Sequence, residues 1–295
     1  MRYTKPHLSV EDQVQLLLER GMIGSPELIT RKLKAANYHR LAAYWHPYRL
    51  PDHSFRPGTS FEHIWRLYTF DRRLRLLVLD AIERFEVSLR TQFAYHHSIL
   101  FGPFGYADRF DSLPKMSSDE RAKFLEKVSK QLDQQKRDPY FSHFIERYGD
   151  THKVPPLWAA VELMEFGQLM NCYQCAPSAV KRTLAENYGI PSKVMGSWIV
   201  SLLSTRNICA HHGRLWNRIL GVRPKELPLD RYPDWHSPEK TDMSRIFGTL
   251  RACYILLRRI APESGWAQRL NDLLYAYPDI PREQMGFPDN WRKFE

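Results

Sequence analysis

Residues 61–100, FEHIWRLYTFDRRLRLLVLDAIERFEVSLRTQFAYHHSIL, carry the clearest helical pattern in the chain. Apolar residues recur there every three or four positions, which is the spacing of one face of an α-helix. The stretch contains no Pro or Gly, and the pattern breaks only at residues 101–105, FGPFG. We therefore expect one helix of about 35–40 residues, which would be roughly 55 Å long. The apolar positions include Leu67, Phe70, Leu74, Leu77, Ala81, Phe85, Leu89 and Phe93.

The rest of the chain also predicts helices, because alternating β-branched runs are few. Ser or Pro at the start of several segments is typical of a helix N-terminus. The pattern indicates an all-α fold, with an N-terminal helical extension over residues 1–55 and a main helical domain over residues 56–295. Residues 221–237 are rich in Pro and predict irregular structure, and the tail from residue 278 predicts extended chain. The further predicted helices are 10–20, 26–36, 117–136, 138–148, 156–175, 177–188, 191–206, 238–260 and 266–275.

Composition excludes several classes of protein. The 295 residues are 43% hydrophobic, so the chain is not disordered, and they contain no apolar run of the roughly 20 residues that span a bilayer. Four Cys are too few for a disulfide framework in a chain of this length. No secretory signal is recognisable, and we expect a cytoplasmic protein that does not associate with membranes.

Positive charge is concentrated in two windows that contain no Asp or Glu. The net charge is +10, and a basic chain favours polyanionic partners. In residues 28–51 the cations alternate with aromatic residues, which suits a phosphate backbone with stacked bases. The alternative is that the aromatic residues belong to the core and the cations to a solvated face. The candidate RNA-binding cations are Arg31, Lys32, Lys34 and Arg40 in this window, and Arg214 and Arg218 in the window between Asn187 and Lys225.

The sharpest motif is residues 206–213, RNICAHHG, at the end of an apolar helix pattern. Asn207 and His211 are four residues apart and share a helix face, and the long side chain of Arg206 can reach the same end of the helix. A histidine beside a guanidinium suits RNA cleavage without a metal, since the imidazole moves protons and the guanidinium stabilises the phosphorane. The alternative is a buried Asn/His pair at a helix end, with Arg206 in a surface ion pair. If the helix continues, Arg214 and Arg218 would hold flanking phosphates.

Two weaker signals remain open. Glu86 and Arg90 are four residues apart. They form either a helix-stabilising ion pair or a support for the catalytic cleft of Arg206 and His211. His212 could also support that cleft. Cys172 and Cys175 form an isolated C-x-x-C without the further ligands that zinc needs, and we interpret them as core thiols. No phosphate-binding loop, His-Glu-x-x-His or G-x-S-x-G motif is present. We therefore expect no metal and no cofactor.

Several strings of residues occur in an order that is specific to one family: 35–40 with Tyr44, 67–72, 81–91, 156–158 with Glu162 and 165–167, 206–217 and 285–291. Together they resemble the Abi (abortive infection) family of bacterial phage-defence proteins, in its AbiD/AbiF-like branch. That family resembles the HEPN superfamily, whose ribonucleases carry Arg followed by a polar residue, and then His, with four to six residues between the Arg and the His. Arg206, Asn207 and His211 match this pattern, and Arg90 with His96 match it loosely.

The resemblance implies a HEPN-like helical bundle that acts as a homodimer, in which two motifs face each other. It implies an anti-phage endoribonuclease in which His211 is the general acid/base, Arg206 stabilises the transition state and Asn207 orients the histidine or the scissile phosphate. RNA would be the substrate, and some relatives also bind a small structured RNA. Two other hypotheses stay open: an RNA-binding protein that does not cleave, and a toxin component that a protein partner silences.

Overall fold

A computed structural model of the chain describes residues 2, 6–237 and 242–294. Within these residues the regular structure is helical, and β-pairing is limited to the isolated bridges of Ile23 with Ser60 and Arg49 with Phe55. The all-α fold class is therefore confirmed. The α-helices of the described chain are α1 Val10–Glu19, α2 Pro26–Ala35, α3 Tyr38–Trp45, α4 Phe61–Phe101, α5 Gly105–Asp108, α6 Ser118–Gln134, α7 Pro139–Tyr148, α8 Leu157–Leu163, α9 Phe166–Cys175, α10 Ser178–Asn187, α11 Ser192–Ala210, α12 Ile246–Ile260 and α13 Trp266–Ala276. Short 3₁₀ helices lie at His46–Tyr48, Phe110–Ser112, Pro233–His236 and Glu283–Met285.

The long helix predicted from residues 61–100 is α4, which has 41 residues. Of its predicted apolar positions, Leu77 is half-buried and the others, including Phe70, Leu74 and Phe85, are buried. Burial of an apolar stripe supplies most of the stability of such a helix, since intrinsic helix propensity is weak. The helix ends at residues 101–105, where Gly102 has a φ of +76°.

The chain divides into two compact units. One comprises Met1–Arg75 with Leu273–Ile280, and the other comprises Leu76–Asp272 with Pro281–Glu295. The sequence predicts a boundary between an N-terminal extension and a main domain at residue 55. The division into compact units does not test that boundary, which stays a prediction.

A buried polar cluster holds the first unit. The Tyr44 hydroxyl donates to Oδ2 of Asp71 over 2.7 Å, and Arg75 forms an ion pair with the same carboxylate. All three side chains are almost fully buried. A charge buried in this way is tolerated only when it is paired and hydrogen-bonded, so this cluster is structural.

Tryptophans fill the core of the second unit. Trp198, Trp216 and Trp266 are fully buried, and Trp266 Nε1 donates to the carbonyl of Leu77 over 2.8 Å. Helix α11 carries Trp198 and packs against α9, α10 and α12. Its buried side fixes the direction in which its C-terminal end emerges.

Two predicted helices have different boundaries, and α3 is an additional helix. The helix predicted over residues 156–175 is two helices, because Glu165 is extended and forms a capping box with Gln168 that starts α9. The helix predicted over residues 238–260 starts at Ile246, after an extended Arg245, and residues 238–241 lie outside the described residues. Helix α3 was not predicted, although Asn37 caps its first turn.

No helix in the described part of the chain combines the length and the apolar character that crossing a membrane requires.

Candidate active site

The motif at residues 206–213 lies where α11 ends. The backbone N–H of His212 donates to the carbonyl of Cys209 over 2.9 Å, and that of Gly213 donates to the carbonyl of Ile208 over 2.7 Å. These two bonds form a Schellman motif, in which the residue after the cap adopts a left-handed conformation. Here that residue is His212, whose φ is +57°.

This turn overturns one expectation from the sequence. Arg214 and Arg218 were expected to extend the same helix by one and two turns, but α11 ends at Ala210. The chain after the turn is anchored instead by the fully buried Leu215 and Trp216. Arg218 is exposed and its Nη1 lies 3.5 Å from the carbonyl oxygen of Arg214, whose own Nη2 donates to the carbonyl of Asn217 over 3.3 Å.

The three motif side chains share the exposed end of α11. Asn207 and His211 are exposed, and Arg206 is half-buried. Nη1 of Arg206 donates to Oδ1 of Asn207 over 3.2 Å, and the backbone N–H of His211 donates to the carbonyl of Asn207 over 3.0 Å. Asn207 therefore connects the guanidinium to the residue that carries the imidazole.

The described residues show neither part of the structural alternative for this motif. A buried Asn/His pair would need both side chains inside the core, whereas both are exposed. An ion pair of Arg206 would need a carboxylate within 4 Å, and the described residues place none there. The arrangement leaves a cation, an amide and an imidazole open to a ligand.

Glu86 and Arg90 have a different environment. Their side chains form an ion pair and are only 13% and 10% exposed. Nη1 of Arg90 also donates to the carbonyl of Val161, which lies within α8. A guanidinium that is shared between a buried carboxylate and a buried carbonyl joins helices, so the contacts favour the ion-pair interpretation.

The two histidines near the C-terminal end of α4 are also engaged. Nε2 of His96 lies 2.8 Å from Nδ2 of Asn187, at the end of α10. His97 is fully buried, and its Nε2 lies 3.3 Å from the carbonyl oxygen of Ser112. Burial lowers the pKa of His97 to about 4.

The N-terminal cations belong to the first unit. Arg31, Lys34 and Arg40 are exposed, whereas Lys32 lies over the ring of Trp65, with Nζ 4.2 Å from the centroid. Tyr44 and Trp45 are buried, so these two aromatic residues are core residues rather than stacking platforms for bases. Lys34 is 3.8 Å from a carboxylate oxygen of Glu11.

Cys172 and Cys175 are buried free thiols, as the core interpretation predicts. Burial raises the pKa of Cys172 well above its ordinary value, which keeps the thiol protonated and unreactive.

Sequence reasoning missed a cavity of about 820 Å³ in the second unit, which arginines and aromatic rings line. One signal could have indicated it. Arg251, Tyr254 and Arg258 recur at helical spacing on one face of α12, so a basic and aromatic surface was readable there.

Comparison with known proteins gives one match. The family model described as Abi-like protein matches residues 31–217, which include the motif at the end of α11. Neither the curated proteins nor the solved structures contain a match. Because the family model covers well over half of the chain, this protein belongs to the Abi-like family, and membership associates it with abortive infection.

Proposed function

We propose that this protein is a metal-independent endoribonuclease of the HEPN type, from the AbiD/AbiF-like branch, which acts on RNA as a homodimer in phage defence. The observation that carries the proposal is the exposed group of Arg206, Asn207 and His211 at the end of α11. The absence of Asp and Glu between Asn187 and Lys225 adds support, because an RNA phosphate approaching this end of the helix meets cations.

The chemistry needs only these side chains and the RNA. The 2′-hydroxyl oxygen attacks the adjacent phosphorus and the P–O5′ bond breaks, which leaves a 2′,3′-cyclic phosphate and a 5′-hydroxyl. One imidazole accepts the 2′-hydroxyl proton, and another donates a proton to the departing O5′. Arg206 stabilises the negative charge that builds on the phosphorane oxygens. Asn207 holds the guanidinium in place through the 3.2 Å hydrogen bond from Nη1 of Arg206.

A homodimer supplies both proton-transfer groups. We assign the base and the acid to His211 of the two protomers, with the two α11 ends facing one cleft. His212 is the adjacent alternative, but its left-handed backbone gives it a separate role in ending α11. The proposal therefore ranks His211 ahead of His212.

A second candidate function is an RNA-binding protein that forms a stable ribonucleoprotein with a small structured RNA and does not cleave it. The acid-free window favours it equally, since binding to phosphates needs only cations. The two functions differ in their dependence on His211. Cleavage needs the imidazole, whereas affinity falls gradually as cations are removed or salt is added.

The deciding experiment is to purify the protein from a bacterial host and to sequence the RNA that accompanies it. Wild type is compared with the Arg206→Ala/His211→Ala variant and with the His212→Asn variant. Asn tolerates the left-handed conformation at residue 212, so this second variant removes an imidazole without disturbing the turn.

RNA fragments that end in 2′,3′-cyclic phosphate in wild type and in His212→Asn, but not in the double variant, would support the nuclease. Addition of a chelator should leave this result unchanged. The same full-length RNA bound by all three proteins would support the ribonucleoprotein and contradict the nuclease.

A further inference from the structure

The cavity of about 820 Å³ in the second unit lies apart in sequence from the motif at residues 206–213. It is lined by the outer face of α12, by residues 231–235 and by the C-terminal segment 288–294. Its volume is within the range of sites that bind small molecules. None of its lining residues has a role in the function proposed above.

Aromatic rings form one part of its lining. Tyr232, Tyr254 and Trp291 are half-buried, so each ring is held by the protein and still borders the cavity. The Tyr232 hydroxyl donates to the carbonyl of Gly189 over 2.6 Å. The ring centroids of Trp291 and Phe287 are 5.1 Å apart at an interplanar angle of 83°. Rings fixed in this way offer stacking surfaces at little cost in side-chain entropy.

Cations form the other part. Arg258, Arg259 and Arg292 are exposed, and no carboxylate among the described residues forms an ion pair with any of them. Asp234 is the only acidic residue in the described lining. Nη2 of Arg251 donates to the backbone carbonyl of Asp234 over 2.8 Å, and its guanidinium lies 4.6 Å from the centroid of the Trp235 ring.

The lining therefore selects for two chemical features at once. Arginine guanidiniums match phosphate oxygens in bidentate geometry, so the cations select an anion, and a phosphate in particular. The aromatic rings add a surface on which a flat ring can stack. A phosphate with no ring would use only half of the site, and a flat cation would be repelled.

We propose that this cavity binds one nucleotide unit, with the phosphate held by Arg258, Arg259 and Arg292 and the base stacked against Trp291 or Tyr254. The unit is either a free mononucleotide or the end of an RNA strand, since both present the same base and phosphate. The proposal does not depend on cleavage at His211, because the cavity and the motif share no residue.

The test is a calorimetric titration of the full chain carrying Arg206→Ala/His211→Ala, which prevents turnover of RNA. The probes are adenosine 5′-monophosphate, ribose 5-phosphate and a 5′-phosphorylated hexaadenylate. We expect adenosine monophosphate to bind at least tenfold more tightly than ribose 5-phosphate, because only adenosine monophosphate has a base that can stack on an aromatic ring.

Two variants test the two parts of the site. Arg258→Gln/Arg292→Gln should weaken binding of adenosine monophosphate roughly tenfold or more, since each removes a charge-assisted hydrogen bond. Trp291→Leu should lower the affinity for adenosine monophosphate toward that for ribose 5-phosphate. The affinity for ribose 5-phosphate should stay unchanged. Arg182→Gln, an exposed arginine on α10 outside the cavity, is the matched control and should change nothing.

The titrations with adenosine monophosphate and with hexaadenylate also distinguish the two sources of the nucleotide. Tighter binding of hexaadenylate, with displacement of adenosine monophosphate, would assign the site to an RNA end. Exclusion of the hexamer would assign it to a free nucleotide. The proposal fails if neither ligand binds at low salt, if ribose 5-phosphate binds as tightly as adenosine monophosphate, or if the folded Arg258→Gln/Arg292→Gln variant keeps full affinity.

Discussion

Two stretches of the second unit carry an arginine followed by histidine at similar spacing, and their surroundings differ sharply. At the end of α11, Arg206 and His211 are accessible, and the side-chain partner of the guanidinium is a neutral amide. On α4, Arg90 is buried against the carboxylate of Glu86, and His97 is enclosed in the core. Identical residue types therefore serve a candidate reaction centre in one place and the packing of helices in the other.

The difference lies in how each charge is balanced. A buried guanidinium must be paired and hydrogen-bonded, and Arg90 meets both conditions through Glu86 and the carbonyl of Val161. Arg90 is also only 10% exposed, so a phosphate has little access to its guanidinium. Arg206 is half-buried, and among the described residues its guanidinium binds only the amide of Asn207. Its remaining N–H donors are therefore available to a phosphate.

The largest expected effect is on catalysis at the end of α11. His211→Ala should reduce the rate of RNA cleavage roughly 10²–10⁴-fold, because it removes a proton-transfer group from an exposed position. The melting temperature and the affinity for uncleaved RNA should stay close to those of wild type. A fluorogenic RNA substrate gives the rate, and His212→Asn is the control that should keep it. Unchanged cleavage in His211→Ala would contradict the assignment.

Arg90→Met should affect stability instead. The change leaves the Glu86 carboxylate and the Val161 carbonyl buried without their donor, and removal of one partner of a buried ion pair costs about 3–5 kcal/mol. Urea denaturation measures the free energy of unfolding.

Glu86→Leu/Arg90→Met is the matched variant for this pair. It should recover much of the lost stability, because no unpaired charge remains. Full stability of Arg90→Met together with lost cleavage would move Arg90 from the packing of α4 to the reaction centre, and would remove the contrast between the two stretches.

The contribution of buried His97 to stability depends on pH. Burial lowers its pKa to about 4 in the folded chain, whereas an imidazole in the unfolded chain titrates near 6.5. Between these pKa values only the unfolded state binds the proton. The contribution of neutral His97 to the free energy of unfolding is therefore fully present above pH 6.5 and is lost as the pH falls toward 4. The loss is at most roughly 3 kcal/mol.

The measurement is the free energy of unfolding of wild type and of His97→Gln between pH 7 and pH 4. The difference between the two proteins should shrink on acidification, since only wild type carries the titrating imidazole. A difference that stays constant over this range would contradict a buried neutral His97.

Much of the fold was readable from the sequence because helix signals are local. The period of α4 and the capping box of Ser117 and Glu120 at the start of α6 each depend on residues within a few positions of one another. The break between α8 and α9 was missed because the apolar pattern continues across it, and the interruption comes from the extended backbones of Met164 and Glu165.

The candidate site was readable only in part, for a related physical reason. Asn207 and His211 are four residues apart on one helix, so their proximity follows from helix geometry. The turn at His212 was not predictable, because a left-handed residue is usually Gly or Asn at that position. The cavity was missed because Tyr232, Arg258 and Arg292 meet only after the chain folds.

The smallest expected effect belongs to His96, the other histidine that follows Arg90. Its Nε2 lies 2.8 Å from Nδ2 of Asn187 at a half-buried position. His96→Ala should therefore cost about 0.5–1.5 kcal/mol in the free energy of unfolding, which is the range for one hydrogen bond. Cleavage should proceed at the wild-type rate.

This small change decides whether α4 carries a second reaction centre. Asn187→Ala removes the same hydrogen bond from the other side, together with the one that Asn187 donates to Gln92, so it should lower stability at least as much without affecting cleavage. If His96→Ala instead slowed cleavage as much as His211→Ala while Asn187→Ala did not, the imidazole itself would take part in the reaction. The looser Arg90 and His96 pattern would then mark a second functional motif, and burial of Arg90 against Glu86 would no longer separate packing from chemistry.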